Sequence, residues 1–238
     1  MLVVGTRRIG ARVVERLAAE GMRVAVGYRG SRAEAEALNA AATLQGTLHD
    51  EGDVRRIVAE ARAALGGLHS VVSLASDYRR TPLDLLDAAA WDTALADARG
   101  QYLLVLAAVR ALRENPGPTR GHIVLFGDWA AGETPYRHYL PYLTAKAAVH
   151  FMTRAFAVEL AAEGILVNGV APGPSLRPDA IGADEWRRDV VARTPLGRES
   201  APDDIAELVA VLLRTESITG EMVRVDSGRH LAGPGWEA

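Results

Sequence analysis

Apolar runs of four to six residues recur along the chain, and nearly every one is followed by a stretch of helical periodicity. "MLVV" (1–4) leads through "GTRRIG" into an amphipathic stretch from Gly10 to Glu20, and Gly21 stands where a helix C-terminus takes a glycine. "RVAVGY" (23–28) precedes an Ala/Glu-rich helix over 31–41. "TLQGTL" (43–48) precedes a helix over 51–65, with apolar positions Val54, Ile57, Val58, Ala61 and Leu65. "SVVSLA" (70–75) leads into a long helical region over 83–113, and "HIVLF" (122–126) into a helix over 139–163 ended by Gly164. "ILVNGV" (165–170) is followed by the loop "APGPSLRPDAIG", a short helix near 183–192 and a helix over 202–214, and "EMVRV" (221–225) comes last. Apolar strands alternating with helices require a parallel sheet covered on both faces. Right-handed crossovers make this a doubly wound α/β fold with its ligand crevice at the carboxyl ends of the strands. No repeat, low-complexity tract or linker divides the 238 residues, so 1–238 reads as a single domain.

Composition narrows the function. The net charge is −3 and the basic residues are scattered, which gives no surface for nucleic acid. Absence of cysteine excludes disulfides and thiolate metal sites and fits a reducing compartment. The six histidines show no metal-ligand spacing, no charged-then-apolar signal segment opens the chain, and no apolar run reaches membrane-spanning length. The expectation is a cytoplasmic protein acting on a small molecule, with no membrane or nucleic-acid partner.

"VVGTRRIG" falls where the first strand meets the first helix. There the backbone of Gly5, Thr6, Arg7, Arg8, Ile9 and Gly10 can present N–H groups and a helix N-terminus to a pyrophosphate. The second strand ends in "GYRGS". A carboxylate at that place would bind the ribose 2′-hydroxyl of NAD, but Arg29 stands there with Ser31 beside it, which favours the 2′-phosphate of NADP. "YLTAK" carries Tyr142 and, four residues on, Lys146, the single lysine among 27 basic residues. One helical turn puts both side chains on a common face. An ammonium beside a phenol lowers its pKa from about 10. Arginine, broader and planar, substitutes poorly for a compact ammonium there. Tyr136 and Tyr139 lie nearby, but neither has a lysine at that spacing.

Taken together, "RRIG", "YLTAK", "VNGVAPG" and "ITGEMVRVDSG" resemble the short-chain dehydrogenase/reductase family over nearly the whole length. "RRIG" and "GDWAAGETPYRHYLPY" look most like its pteridine-reductase-type branch, in which an aspartate replaces the usual catalytic serine. The resemblance implies a Rossmann-type fold and an NADPH-dependent reductase of a small cyclic C=O or C=N substrate. It implies Tyr142 as proton donor, Lys146 also bonding the nicotinamide ribose, and Asp128 orienting substrate or relaying a proton, although Asp128 reads nearly as well as a turn cap. It places Leu48 near the adenine, Ala75 along the cofactor, and Pro172 and Gly173 beside the nicotinamide, with 174–192 covering the substrate. Related enzymes are dimers or tetramers through two long helices, here 83–113 and 139–163. His150, one turn beyond Lys146, reads as structural.

Several positions depart from the family pattern. Gly5 to Gly10 spans five steps where the family's first and last glycines span six, "SLAS" (73–76) replaces a segment with two asparagines, and Thr47–Leu48 replaces Asp–Leu. The helix asparagine that supports proton relay falls near Asp97. These changes leave open a redirected chemistry (epimerase, cyclase or lyase) or a non-catalytic NADP-binding homologue.

Overall fold

The computed structural model describes residues 1–178 and 181–232; of the expected single domain 1–238, residues 179, 180 and 233–238 lie outside it. Its element order is β1 (Leu2–Val4), α1 (Ile9–Ala19), β2 (Ala25–Tyr28), α2 (Arg32–Glu36), β3 (Ala42–Gln45), α3 (Glu51–Leu65) and β4 (Ser70–Ser73). Then come α4 (Ala88–Leu112), β5 (Gly121–Phe126), α5 (Leu140–Leu160), β6 (Ile165–Pro172), α6 (Ala183–Asp189), α7 (Pro202–Leu212) and β7 (Met222–Val225). The seven strands form one parallel sheet in the order β3-β2-β1-β4-β5-β6-β7. Register is continuous across the reversal of strand order: Val3 pairs with Val26 on one side and with Val72 on the other. That reversal opens a crevice beyond the carboxyl ends of β1 and β4, where a doubly wound sheet binds its ligand.

Two apolar layers bury the sheet. On one face, Ile57 of α3, Leu104 and Leu112 of α4 and Val149 of α5 pack on Leu2, Val71 and Ile123. On the other, Val13 and Leu17 of α1 and Ile205 and Val209 of α7 pack on Val3, Val26 and Val124. Full burial of one such side chain contributes about 1.5–3 kcal/mol relative to leaving it in water. Local signals set the helix ends. The Asp50 carboxylate accepts from Asp53 N–H at 2.8 Å to start α3, Asp87 accepts from Ala90 N–H at 2.7 Å to start α4, and Gly66 closes α3 at φ 73°.

The Ala/Glu-rich helix expected over 31–41 forms only as Arg32–Glu36. Asn39 turns left-handed at φ 49°, and Ala41 N–H is taken by Val24 O at 2.7 Å, so entry into β3 ends the helix. The helical region expected over 83–113 is a short 3-10 turn at Leu83–Leu85 followed by α4, separated by extended Leu86.

Candidate active site

The turn after β1 closes on its two glycines. Gly5 sits at φ 90° and donates to Gly27 O at 3.1 Å; a Cβ there would lie 2.6 Å from Ala75 N. A Cβ on Gly10 would lie 1.9 Å from Gly5 O, so the five-residue spacing is held by glycine packed on glycine. Between them Thr6 is buried, with its Oγ1 unpartnered by protein. Arg7 leans toward Glu34 at 3.9 Å. Arg8 takes φ 54° as the N-cap of α1, and its guanidinium donates to Leu176 O and, at 3.4 Å, to Arg177 O; Ile9 begins the helix. An orphaned buried hydroxyl beside a glycine cradle at a helix N-terminus suits a pyrophosphate.

Arg29, just beyond the end of β2, is ion-paired rather than left to solvent. Its Nη2 donates to both oxygens of Asp77, at 2.9 and 3.0 Å, joining the end of β2 to the segment after β4. Ser31 is the N-cap of α2 but makes no side-chain cap bond. Leu48 is buried against α4, where a Cβ on Gly100 would come within 2.7 Å of it. Ala75 O accepts from Gln101 Nε2 at 2.7 Å. Gly173 N–H donates to Val225 O at 2.9 Å, and Pro172 O accepts from Trp129 N–H at 3.2 Å, so the end of β6 reaches the segment after β5. Asp97 is not idle: Oδ1 contacts His49 Nε2 at 2.8 Å and Oδ2 accepts from Asp77 N–H at 2.8 Å.

Asp128, two residues beyond β5, meets the first turn of α5. Its Oδ1 accepts from Ala130 N–H at 2.9 Å, so it does cap a turn. Its Oδ2 accepts from Tyr142 Oη at 3.0 Å and from Tyr136 Oη at 3.1 Å, so it is also part of the site. Lys146 Nζ is buried, donates to Phe126 O at 2.7 Å and lies 5.8 Å from the centre of the Tyr142 ring. His150 Nε2 accepts from Asp128 N–H at 3.3 Å, a structural contact as expected. Around the carboxylate, Tyr78 stacks on Tyr139 at 4.5 Å and meets Tyr142 edge-on at 5.0 Å, and Trp129 stacks on Tyr136 at 5.9 Å.

The electrostatics differ from the simple tyrosine–lysine pair in direction. Burial, followed by the charge and hydrogen bond of Asp128, pushes the Tyr142 phenol well above its ordinary value, against the lowering expected from Lys146. Burial holds Lys146 down to about 8, opposed by Asp128 and Asp97, and raises Asp128 against its hydrogen bonds and Lys146. The phenol is therefore held as a neutral donor, the form a proton donor needs. Sequence reasoning missed Asp77, Tyr78 and the role of Tyr136. Each depends on where a loop carries it, and no local spacing marks that.

No group of three or more potential metal ligands occurs among the described residues, and no described helix is long and apolar enough to cross a membrane. Residues 3–230 match the family model described as enoyl-(acyl carrier protein) reductase. The chain is 31% identical over 245 residues to 3-oxoacyl-(acyl-carrier-protein) reductase FabG of Staphylococcus aureus, covering 97% of each. It is 32% identical over 231 residues to cis-4-hydroxycyclohexanecarboxylate dehydrogenase of Sinomonas cyclohexanicum, covering 92% of this chain and 91% of that one. The crystal structure of FolM alternative dihydrofolate reductase 1 from Brucella canis complexed with NADP superposes with a TM-score of 0.85 at 32% identity, covering 100% of this chain and 95% of that chain. The Brucella suis FolM complex with NADP gives 0.87 at 31% identity, covering 99% and 96%. With these likenesses spanning nearly the whole chain, it belongs to the short-chain dehydrogenase/reductase family and is an oxidoreductase of that type.

Proposed function

We propose that this protein is an NADPH-dependent reductase of a small cyclic C=O or C=N compound, with Tyr142 as the proton donor. The observation that carries the reading is the buried Asp128 with the neutral Tyr142 phenol on it and Lys146 one turn away. When bound, NADPH supplies the hydride. The residues present fit it: the Gly5–Gly10 turn and the unpartnered Thr6 hydroxyl suit the pyrophosphate. Arg29, with Ser31, takes the 2′-phosphate in exchange for Asp77, Leu48 borders the adenine, and Ala75, Lys146, Pro172 and Gly173 hold the ribose and nicotinamide. Both FolM neighbours are NADP complexes, which supports the cofactor, and their dihydrofolate reductase name makes a dihydropterin the first substrate to try. Asp128 keeps the phenol oriented toward the substrate, and the described residues of 174–192 cover it. Tyr102 and Leu106 of α4 and Phe151 and Val158 of α5 are exposed apolar residues, consistent with a homodimer or homotetramer formed through these helices.

A redirected, redox-neutral chemistry has one observation in its favour: Ser73 is buried with an unpartnered hydroxyl where the family carries an amide. Product formed without net NADPH consumption would establish it. The reductase reading is tested with NADPH and a panel of dihydropterin, quinone, cyclic ketone and cyclic imine. NADPH should raise the melting temperature and be oxidised with at least one of these. Tyr142→Phe should lose roughly 100-fold or more in kcat while keeping the NADPH-dependent shift. Neither binding nor oxidation by the unmodified protein, or full activity in the variant, ends the reading.

A further inference from the structure

Three arginines lie around the end of β2 and the start of α2, and each has a carboxylate for a partner. Arg7 faces Glu34 at 3.9 Å, Arg32 Nε donates to Glu36 at 2.8 Å, and Arg29 Nη2 donates to both oxygens of Asp77 at 2.9 and 3.0 Å. The first two partners belong to α2. The third does not. It reaches Arg29 from the segment after β4, and β1 lies between β2 and β4 in the sheet. The Arg29–Asp77 pair therefore spans the carboxyl end of β1, where the Gly5–Gly10 turn begins.

Asp77 is held in this place by its backbone. Its N–H donates to Asp97 Oδ2 at 2.8 Å, and Asp97 Oδ1 contacts His49 Nε2 at 2.8 Å. Two residues earlier, Ala75 N lies 2.6 Å from where a Cβ on Gly5 would stand, so the segment is one wall of the glycine turn. Among the described residues, the Asp77 side chain bonds Arg29 alone.

We propose that Asp77 is a specificity-determining residue for the cofactor: it competes with the 2′-phosphate for Arg29 and so narrows the margin by which NADPH is preferred over NADH. The proposal rests on the reading of Arg29 as the 2′-phosphate ligand and adds the acid that opposes it. A phosphate monoester carries close to two negative charges at neutral pH and seeks the guanidinium that Asp77 already holds. Both bonds to Asp77 come from Nη2, so Nη1 and Nε keep N–H groups that a phosphate can take. If the pair stays closed, the phosphate and the carboxylate share one guanidinium and repel each other. If it opens, the phosphate gains only the excess over what Asp77 gives up. In both arrangements the carboxylate subtracts from the affinity that the 2′-phosphate adds. NADH presents a hydroxyl there, makes no claim on the guanidinium and leaves the pair intact.

NADPH and NADH differ in that phosphate alone, so their dissociation constants, measured by nucleotide fluorescence on the whole protein, isolate the effect. Asp77→Asn keeps the side-chain shape and the backbone bond to Asp97 and removes only the charge. It should tighten NADPH about threefold to tenfold and leave NADH within about twofold. Arg29→Ala should weaken NADPH roughly tenfold or more, with NADH again little changed. A purely structural role for Asp77 would move both nucleotides together, and that result overturns the proposal, as does unchanged NADPH binding. Weaker NADPH binding by Asp77→Asn overturns it as well, because Asp77 would then be holding Arg29 ready for the phosphate. If the unmodified protein binds no NADPH, or Arg29→Ala binds it equally well, the reading of the 2′-phosphate site fails and the proposal with it. If NADPH binding depends on Arg29 but not on the Asp77 charge, the proposal fails alone.

Discussion

His150 is the residue whose protonation most directly threatens the site. Burial, reinforced by Arg224, Lys146 and Arg154, lowers it to about 4, and it is neutral when it accepts the Asp128 N–H. The unfolded chain takes up that proton near pH 6.5 and the folded chain only near 4, so stability is lost as pH falls through that window. Asp128, raised by burial, works in the opposite sense at low pH and limits the net effect. His150→Gln retains an acceptor without the titration. Its melting temperature should fall less between pH 6.5 and 4.5 than that of the unmodified protein, and an equal fall would show that His150 does not govern acid sensitivity. At this scale, Tyr142 and Lys146 were legible from the chain because a spacing of four on a helix is a geometric statement. Asp128 was legible only through resemblance. Arg29–Asp77 and Tyr136–Asp128 were not legible, since each joins segments that only the sheet and its loops bring together.

Among the elements, the turn between β1 and α1 carries the tightest constraint. An alanine at Gly5 combines φ 90° with a Cβ 2.6 Å from Ala75 N and 2.8 Å from the Leu74 carbonyl carbon, and both contacts are backbone that cannot swing aside. Gly5→Ala should destabilise by about 1–3 kcal/mol or more and weaken NADPH binding. Gly182→Ala, at φ −64° with no described atom within 4 Å of the new Cβ, is the control and should change stability by less than about 1 kcal/mol, the poorer alanine N-cap offsetting the gain from a less flexible unfolded chain. Chemical denaturation of both variants checks the contrast. Where helix boundaries were read well, the reason was local: Asp50 and Gly66 bracket α3 by capping chemistry that acts within one turn. Where they were not, a partner outside the segment decided. The residues after Glu36 have helical composition, but the chain must turn there so that Ala42–Gln45 can pair with β2.

On the scale of the whole molecule, α4 and α5 pack together and leave an apolar outer surface. Phe151 and Val158, seven residues apart on α5, are 65% and 79% exposed, and Tyr102 stacks on Phe156 between the two helices at 5.7 Å. If that surface joins copies of the chain, Phe151→Glu with Val158→Glu should shift sedimentation velocity toward the monomer without changing the circular dichroism spectrum. An unchanged sedimentation coefficient would remove these helices from the interface. The doubly wound architecture was readable from the alternation of patterns because a parallel sheet requires long crossovers. Assembly was not, because exposed apolar residues on a helix read the same as core residues until the sheet says which face is inside.

The protein also carries a built-in probe. Its single ε-amine is Lys146, which lies inside the site and is only 5% exposed. Isotopic labelling through lysine therefore yields one side-chain signal in the spectrum, with no surface background to subtract. Whatever binds over Tyr142 can thus be followed at one atom, without mutation, tag or chromophore.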